Sequence, residues 1–355
     1  MISICIITKN EIEYLKQNLK LLKKYNVEIV VVDTGSTDGS VDVAREYADI
    51  VGCFEWCDDF SKAKNYAISL ASNDVIMTLD TDEMIKEFDC ESVEKIITAN
   101  PDYIGRIKCL SPHTVAGEER VAIDRIRRVF NRNNYMYSGR IHEQLVPLKG
   151  NKITVVDVPI VVNHLGYYQT EKQRKEKADR NIKLLLEELN NNPDDSYLIY
   201  QLGKAYMYAE KYQEALVWFE KDFSKDLNPR LDWVLDLIIN SGFLYIESGR
   251  VNDALFFESL NNELSYSADY YFMMGNIYMQ NAMFEKAITS FEKATTLNEG
   301  QIEGNNSYNA FYNIGVIYEC TGNADKAAVY YEKCGEFPKA KNGLERLKAK
   351  YLLKR

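Results

Sequence analysis

Two patterns of apolar and polar positions divide this chain. From Met1 to about Gly166, short β-rich apolar runs alternate with stretches whose apolar residues recur at helical spacing. Ile2 to Ile7 predicts a buried strand, and Ile12, Leu15, Leu19 and Leu22 predict a helix after it. Val27 to Val32 predicts a second strand, which ends where Asp33-Thr34-Gly35-Ser36-Thr37-Asp38-Gly39-Ser40 supplies turn formers. Ile50 to Phe54, the helical face Phe60, Ala63, Ala67 and Leu70, and the strand Val75 to Leu79 continue the alternation into Asp80-Thr81-Asp82-Glu83. The order βαβαβαβ predicts a Rossmann-like α/β domain with an open, mostly parallel sheet. Ligands of such sheets bind beyond the carboxyl ends of the strands, where both acidic clusters fall.

The second pattern is a repeat. Gly203-x-x-Tyr206, Gly242-x-x-Tyr245, Gly275-x-x-Tyr278 and Gly315-x-x-Tyr318 are each followed, twelve residues after the glycine, by Ala215, Ala254, Ala287 or Ala327. Four residues further on stand Phe219, Phe291 and Tyr331, with Glu258 in the second repeat. A period near 34 residues is that of tetratricopeptide helix pairs, which this part resembles. Small residues let paired helices approach and aromatics fill the space beside them, so these positions are expected to be structural. Glu258 predicts irregular stacking in the second repeat, and the wider gaps after Gly203 and Gly275 predict longer loops. The expected organisation is a domain over 1–170, a basic junction helix over 171–195, and an all-α domain of about four repeats over 196–355.

Charge and cysteine usage narrow the function classes. A net charge of −10 argues against a nonspecific nucleic-acid binder, which needs a basic surface. No apolar run approaches the roughly 20 residues that a membrane-spanning helix requires. The start Met1-Ile2-Ser3-Ile4-Cys5 lacks the basic segment and cleavage site of a secretory signal, and the seven cysteines have no CxxC spacing. Free thiols and a cytoplasmic location are expected.

Candidate chemistry begins at Asp80-Thr81-Asp82, whose carboxylates follow a strand and can meet a divalent ion that a diphosphate also ligates. With Ile6-Ile7-Thr8-Lys9-Asn10-Glu11 and the Asp33 to Ser40 turn, this segment resembles the family 2 glycosyltransferases of GT-A fold over roughly the first 165 residues. Trp56-Cys57-Asp58-Asp59-Phe60-Ser61-Lys62-Ala63-Lys64-Asn65 and Ile141-His142-Glu143-Gln144 are similar to elements of a bacterial subgroup. Fusion to tetratricopeptide repeats is similar to transferases that glycosylate peptides or proteins, including the bacteriocin S-glycosyltransferases.

The resemblance implies roles residue by residue. Asp33, Thr8, Asn10 and Glu11 would line the nucleotide pocket; Asp80 and Asp82 would take the ribose, diphosphate and Mn²⁺ or Mg²⁺, with Asp82 the direct ligand. Lys64 stands where the family often has arginine and would meet phosphate as a point charge. Glu143 is the preferred base and Glu83 the fallback. His164 is an extra metal ligand, with His142 as its competitor. The basic run Lys172 to Arg180 can face the donor diphosphate or simply be a solvated helix face, and one arginine of Asp124-Arg125-Ile126-Arg127-Arg128 can pair with an acidic cluster.

The expected activity is inverting transfer of a hexose or N-acetylhexosamine from a nucleotide sugar, UDP-glucose or UDP-N-acetylglucosamine first, to a peptide or protein side chain, with the repeats also able to form a homodimer. The alternatives are a surface-glycan or lipid-linked sugar transferase that dimerises through its repeats, and a catalytically degenerate scaffold. A nucleotidyltransferase would need a glycine-rich phosphate loop near the N-terminus, which the sequence lacks.

Overall fold

A computed structural model describes residues 1–115, 118–150, 153–165 and 171–352; the side chains of 113–115, 118–120, 171–174 and 350–352 are also outside that description. Gly166, Tyr167, Lys172 and Arg174 therefore contribute no side-chain observation. The chain divides into two compact units, Met1–Glu188 and Leu189–Arg355.

The first unit runs β1 (Ile2–Thr8), α1 (Ile12–Leu22), β2 (Val27–Asp33), α2 (Ser40–Tyr47), β3 (Ile50–Cys53), α3 (Phe60–Leu70), β4 (Val75–Thr78), β5 (Glu83–Phe88), α4 (Cys90–Ala99), β6 (Tyr103–Val115), β7 (Glu118–Asn131), β8 (Tyr135–Ser138), β9 (Gln144–Pro147), β10 (Thr154–His164) and α5 (Glu171–Asn191), the last crossing the boundary between units. Its main sheet has the order β3-β2-β1-β4-β7-β6-β10-β5. The first four strands are parallel, as the βαβ alternation predicts; β7 then enters antiparallel to both β4 and β6. The register Thr8↔Asp33 brings those two side chains together at the carboxyl ends of β1 and β2.

Alternation along the strands builds a core on each face. Ile2, Ile4 and Ile6 pack with Leu15, Leu19 and Leu22 of α1 and Val93 and Ile97 of α4. Cys5, Val30 and Val32 point the other way, onto Ala67 and Ile68 of α3 and Tyr135 and Tyr137 of β8. One irregularity matters for the site. The β6–β7 register jumps from Gly105↔Val129 to Arg106↔Arg127, which leaves Arg128 as the extra residue of a β-bulge.

The second unit contains α6 (Ser196–Tyr208), α7 (Tyr212–Glu220), α8 (Asp232–Glu247), a 3-10 helix (Asp253–Leu260), α9 (Ala268–Gln280), α10 (Phe284–Thr295), α11 (Tyr308–Cys320), α12 (Ala324–Lys333) and α13 (Pro338–Leu352). The four alanines are fully buried. A Cβ at Gly203, Gly275 or Gly315 would lie 2.2, 2.6 or 2.5 Å from the ring of Phe219, Phe291 or Tyr331, so each glycine is the seat of its own repeat's aromatic. The second repeat departs as its Glu258 predicts: its second helix is 3-10, and Gly242 faces Met273 of the next repeat instead. Seven residues after each glycine, Glu210, Gly249, Ala282 and Gly322 adopt left-handed backbone. The next amide donates to the carbonyl of Tyr206, Tyr245, Tyr278 or Tyr318, the six-to-one bond that ends a helix in a Schellman turn.

Among the described residues all seven cysteines are unpaired thiols, and no helix is long and apolar enough to cross a membrane.

Candidate active site

The carboxyl ends of β1, β2 and β4, the turn into β5, the β8–β9 turn and the end of β10 converge on one polar centre. Asp33 closes β2. Its Oδ2 accepts from the amides of Gly35 (2.9 Å) and Ser36 (3.0 Å), which orders the turn after the strand. Its Oδ1 is buried with no hydrogen-bond partner among the described residues, and so is Oγ1 of Thr8 beside it. Buried polar atoms are almost always paired, so two adjacent orphans mark a place for an outside ligand. Asn10, at φ +55°, bridges to the same turn through the Thr37 amide (2.7 Å) and Ser36 Oγ (2.9 Å). Glu11 accepts from Thr81 Oγ1; burial first, and then the charge of Asp82, pushes its carboxyl up to about 7.

Five ionic side chains form a connected chain at this centre. Lys64, buried on α3, lies 2.6 Å from Glu143 Oε1 and 3.4 Å from Asp80 Oδ1. Arg128, aimed inward by the bulge, lies 2.6 Å from Asp80 Oδ2 and 2.7 Å from Glu83 Oε1. Burial opposes ionisation of Asp80, but Arg128 and Lys64 outweigh it and hold the carboxyl well below its ordinary range. Burial dominates at Glu83, where Asp80 adds repulsion and the carboxyl is raised despite Arg128. Both Glu83 oxygens are engaged, since Oε2 also accepts from the Asp80 amide at 2.9 Å.

Asp82 turns away from that chain. Its Oδ2 lies 3.3 Å from Nε2 of His164, at the end of β10, where His164 pairs across the sheet with Glu83. Burial would lower the imidazole's pKa, but the hydrogen bond and charge of Asp82 prevail and raise it. The structure thus brings His164 to the DxD turn. His142 occupies the β8–β9 turn at φ +51°, its carbonyl accepting from Gln144 Nε2 at 3.2 Å. Among the described residues no three or more His, Cys, Asp or Glu side chains gather closely enough to hold one ion by themselves.

Two contributors escape a motif reading. Asn18, fully buried on α1, donates through Nδ2 to the carbonyls of Asp80 (3.3 Å), Thr81 (3.3 Å) and Glu83 (2.9 Å) and fixes the shape of the acidic turn. Its signal was an amide in the apolar stripe of Leu15, Leu19 and Leu22. Arg128 is the arginine that pairs with the acidic cluster. The Trp56 to Asn65 element is now also explained: Asp59 caps α3 through the Lys62 amide (3.0 Å), and Trp56 packs edge-on against Phe60 with ring centroids 4.8 Å apart. Asn65 locks α3 to β8 through both polar groups of Tyr137's backbone, at 2.8 and 2.9 Å.

The family model for glycosyl transferase family 2 matches residues 3–146, and that for the tetratricopeptide repeat matches 268–301 and 308–336. A TPR repeat-containing protein of Synechococcus elongatus is 31% identical over 230 residues, 62% of this chain and 56% of that one. The SPbeta prophage-derived glycosyltransferase SunS of Bacillus subtilis is 27% identical over 266 residues, 73% of this chain and 62% of that one. The lipopolysaccharide core biosynthesis glycosyltransferase LpsC of Rhizobium meliloti is 28% identical over 161 residues, 42% of this chain and 58% of that one. The chain spans less than two thirds of the length of each of these relatives. Residues 3–146 therefore form a glycosyl transferase family 2 domain, carried in one chain with C-terminal tetratricopeptide repeats.

Proposed function

We propose that the first unit transfers a glycosyl group from a nucleotide sugar to an acceptor by a single inverting displacement. The observation that carries this is the pair of buried, unpartnered atoms Asp33 Oδ1 and Thr8 Oγ1, set at the strand ends beside the Asp80 to Glu83 turn. A carboxylate oxygen in that position accepts from a base N–H, and the imide of uracil supplies one; UDP-glucose and UDP-N-acetylglucosamine are the first donors to test. Asn10 and the Asp33 turn form the wall of that pocket.

In the displacement, the acceptor oxygen or sulfur forms a bond to the anomeric carbon while that carbon's bond to the diphosphate oxygen breaks. The electron pair leaves with the diphosphate and the acceptor's proton passes to a carboxylate. Glu143 suits that task better than Glu83, whose two oxygens are held by Arg128 and a backbone amide. Lys64, on Glu143 Oε1, positions the base, and Arg128 positions Asp80. A carboxylate and an imidazole 3.3 Å apart at Asp82 and His164 fit neighbouring positions around Mn²⁺ or Mg²⁺, which would offset the charge that develops on the diphosphate.

The acceptor is a peptide or protein side chain in this proposal, because helical repeats present an extended surface suited to an unfolded segment. A surface-glycan acceptor is the second possibility, favoured by the similarity to LpsC, with the repeats then serving homodimerisation. Diphosphate release should be measured with Mn²⁺ across a panel of nucleotide sugars, on the wild type and on Asp82→Ala. Release from one donor, abolished in the variant, is the expected result; neither release nor metal-dependent nucleotide binding would leave the scaffold alternative standing.

A further inference from the structure

The charges of the site do not close around a diphosphate. Lys64 and Arg128 are the cations built into it, and each already faces two carboxylates, Asp80 and Glu143 for one, Asp80 and Glu83 for the other. With Asp82 and Glu11 nearby, a bound donor meets more negative charge than these two cations offset, and the deficit grows as the diphosphate leaves.

Two further cations stand at the rim, one helical turn apart on α5. Ala178 and Ile182 are buried and seat this helix, which places Lys177 and Arg180 on its flank. Both are within electrostatic reach of Glu11, and Lys177 also of His164. Among the described residues neither has a carboxylate at ion-pair distance. Arg180 instead rests over the ring of Phe60, 5.6 Å from its centroid, with Asn181 Oδ1 at 3.1 Å from Nη2. Phe60 is itself fixed by its backbone amide, which donates to the Arg140 carbonyl (2.8 Å), and by Trp56. A guanidinium parked on an aromatic face keeps its charge; its Nε and Nη2 both donate to the neutral Asn181 Oδ1, at 3.3 and 3.1 Å, while Nη1 makes no hydrogen bond among the described residues and is open to an anion.

We propose that Lys177 and Arg180 are the diphosphate contacts of the donor site, Arg180 being held on Phe60 until the anion arrives, and that they supply the charge Lys64 and Arg128 cannot. This rests on the nucleotide-sugar transferase reading above. It assigns the basic run of the junction helix to the leaving group and the Trp56 to Phe60 element to the platform beneath it.

The test is equilibrium binding to the full chain with Mn²⁺, using UDP, GDP and dTDP, each beside its own nucleoside. Arg180→Met is expected to weaken diphosphate binding by about tenfold, the size of one charge-assisted contact, and to leave nucleoside binding unchanged. Arg180→Lys should recover part of the loss, and Lys177→Met should show a smaller loss of the same kind. Asp33→Ala should weaken nucleoside and diphosphate alike. Unchanged UDP affinity in both Arg180→Met and Lys177→Met, or an equal loss for nucleoside and diphosphate, overturns this inference alone while wild-type binding upholds the transferase reading. A wild-type chain that binds none of the three diphosphates overturns both.

Discussion

The two units of this protein use their distinctive residues in opposite ways. In the repeats, every residue that draws the eye in the sequence is consumed by packing: Gly203, Gly275 and Gly315 each seat an aromatic ring, the alanines vanish into the core, and the Gly-x-x-Tyr tyrosines lend their carbonyls to Schellman turns. In the first unit the distinctive residues are left incompletely satisfied. Asp33 and Thr8 retain bare buried atoms, and Glu11 holds a raised carboxyl. Regular spacing with complete packing marks a scaffold; residual polar valence at strand ends marks a site.

Breaking the buried charge chain should have the largest effect. Arg128→Met removes the ion-pair partner of the almost wholly buried Glu83 and leaves Asp80 with Lys64 alone. A loss of about 3–5 kcal/mol is expected in denaturant unfolding of the first unit. The repeat counterpart should be milder. Gly275→Ala sets a methyl 2.6 Å from the Phe291 ring, and overpacking of this kind costs about 1–3 kcal/mol. Melting followed for the isolated transitions should show that loss in the repeats, and Phe291→Leu on the same background should recover part of it. Equal losses at the two sites would dissolve the contrast drawn between them.

The same contrast governs what could be read from the sequence. The repeat was legible because glycine, alanine and aromatic act within one helix pair, at separations of twelve and sixteen residues that survive as a linear pattern. The parallel half of the sheet was legible for the same reason, each βα unit being local. The antiparallel half was not: β5 begins inside the acidic cluster at Glu83 and pairs with β10 from far along the chain. Nor did alternation decide among Arg125, Arg127 and Arg128, because the bulge that aims Arg128 inward breaks the period of two on which such a choice depends. Asn18 shows the limit of motif reading, since its three bonds to the acidic turn are made by a residue that belongs to no motif.

Glu11 offers the finest probe of the unsatisfied site, with the smallest expected effect. Its carboxyl, ordinarily near 4.5, is pushed up to about 7 by burial and by Asp82. Below about pH 4.5 it is protonated in both the folded and the unfolded chain and makes no difference to stability. As pH rises from there, the unfolded chain ionises first and the folded chain holds its proton, so folding becomes progressively less favourable until the full penalty is reached above about pH 7. Glu11→Gln removes the penalty and keeps an oxygen to accept from Thr81. In metal-free buffer the variant and the wild type should melt together at pH 4.5, and the variant should melt higher at pH 8, by no more than about 1 kcal/mol of stability once solvent screening is allowed for. The gap should narrow when Asp82→Asn is added, because part of the penalty is that neighbour's charge and the rest is burial; a gap independent of pH would mean that Glu11 is bound to its surroundings as fully as the tyrosines of the repeats.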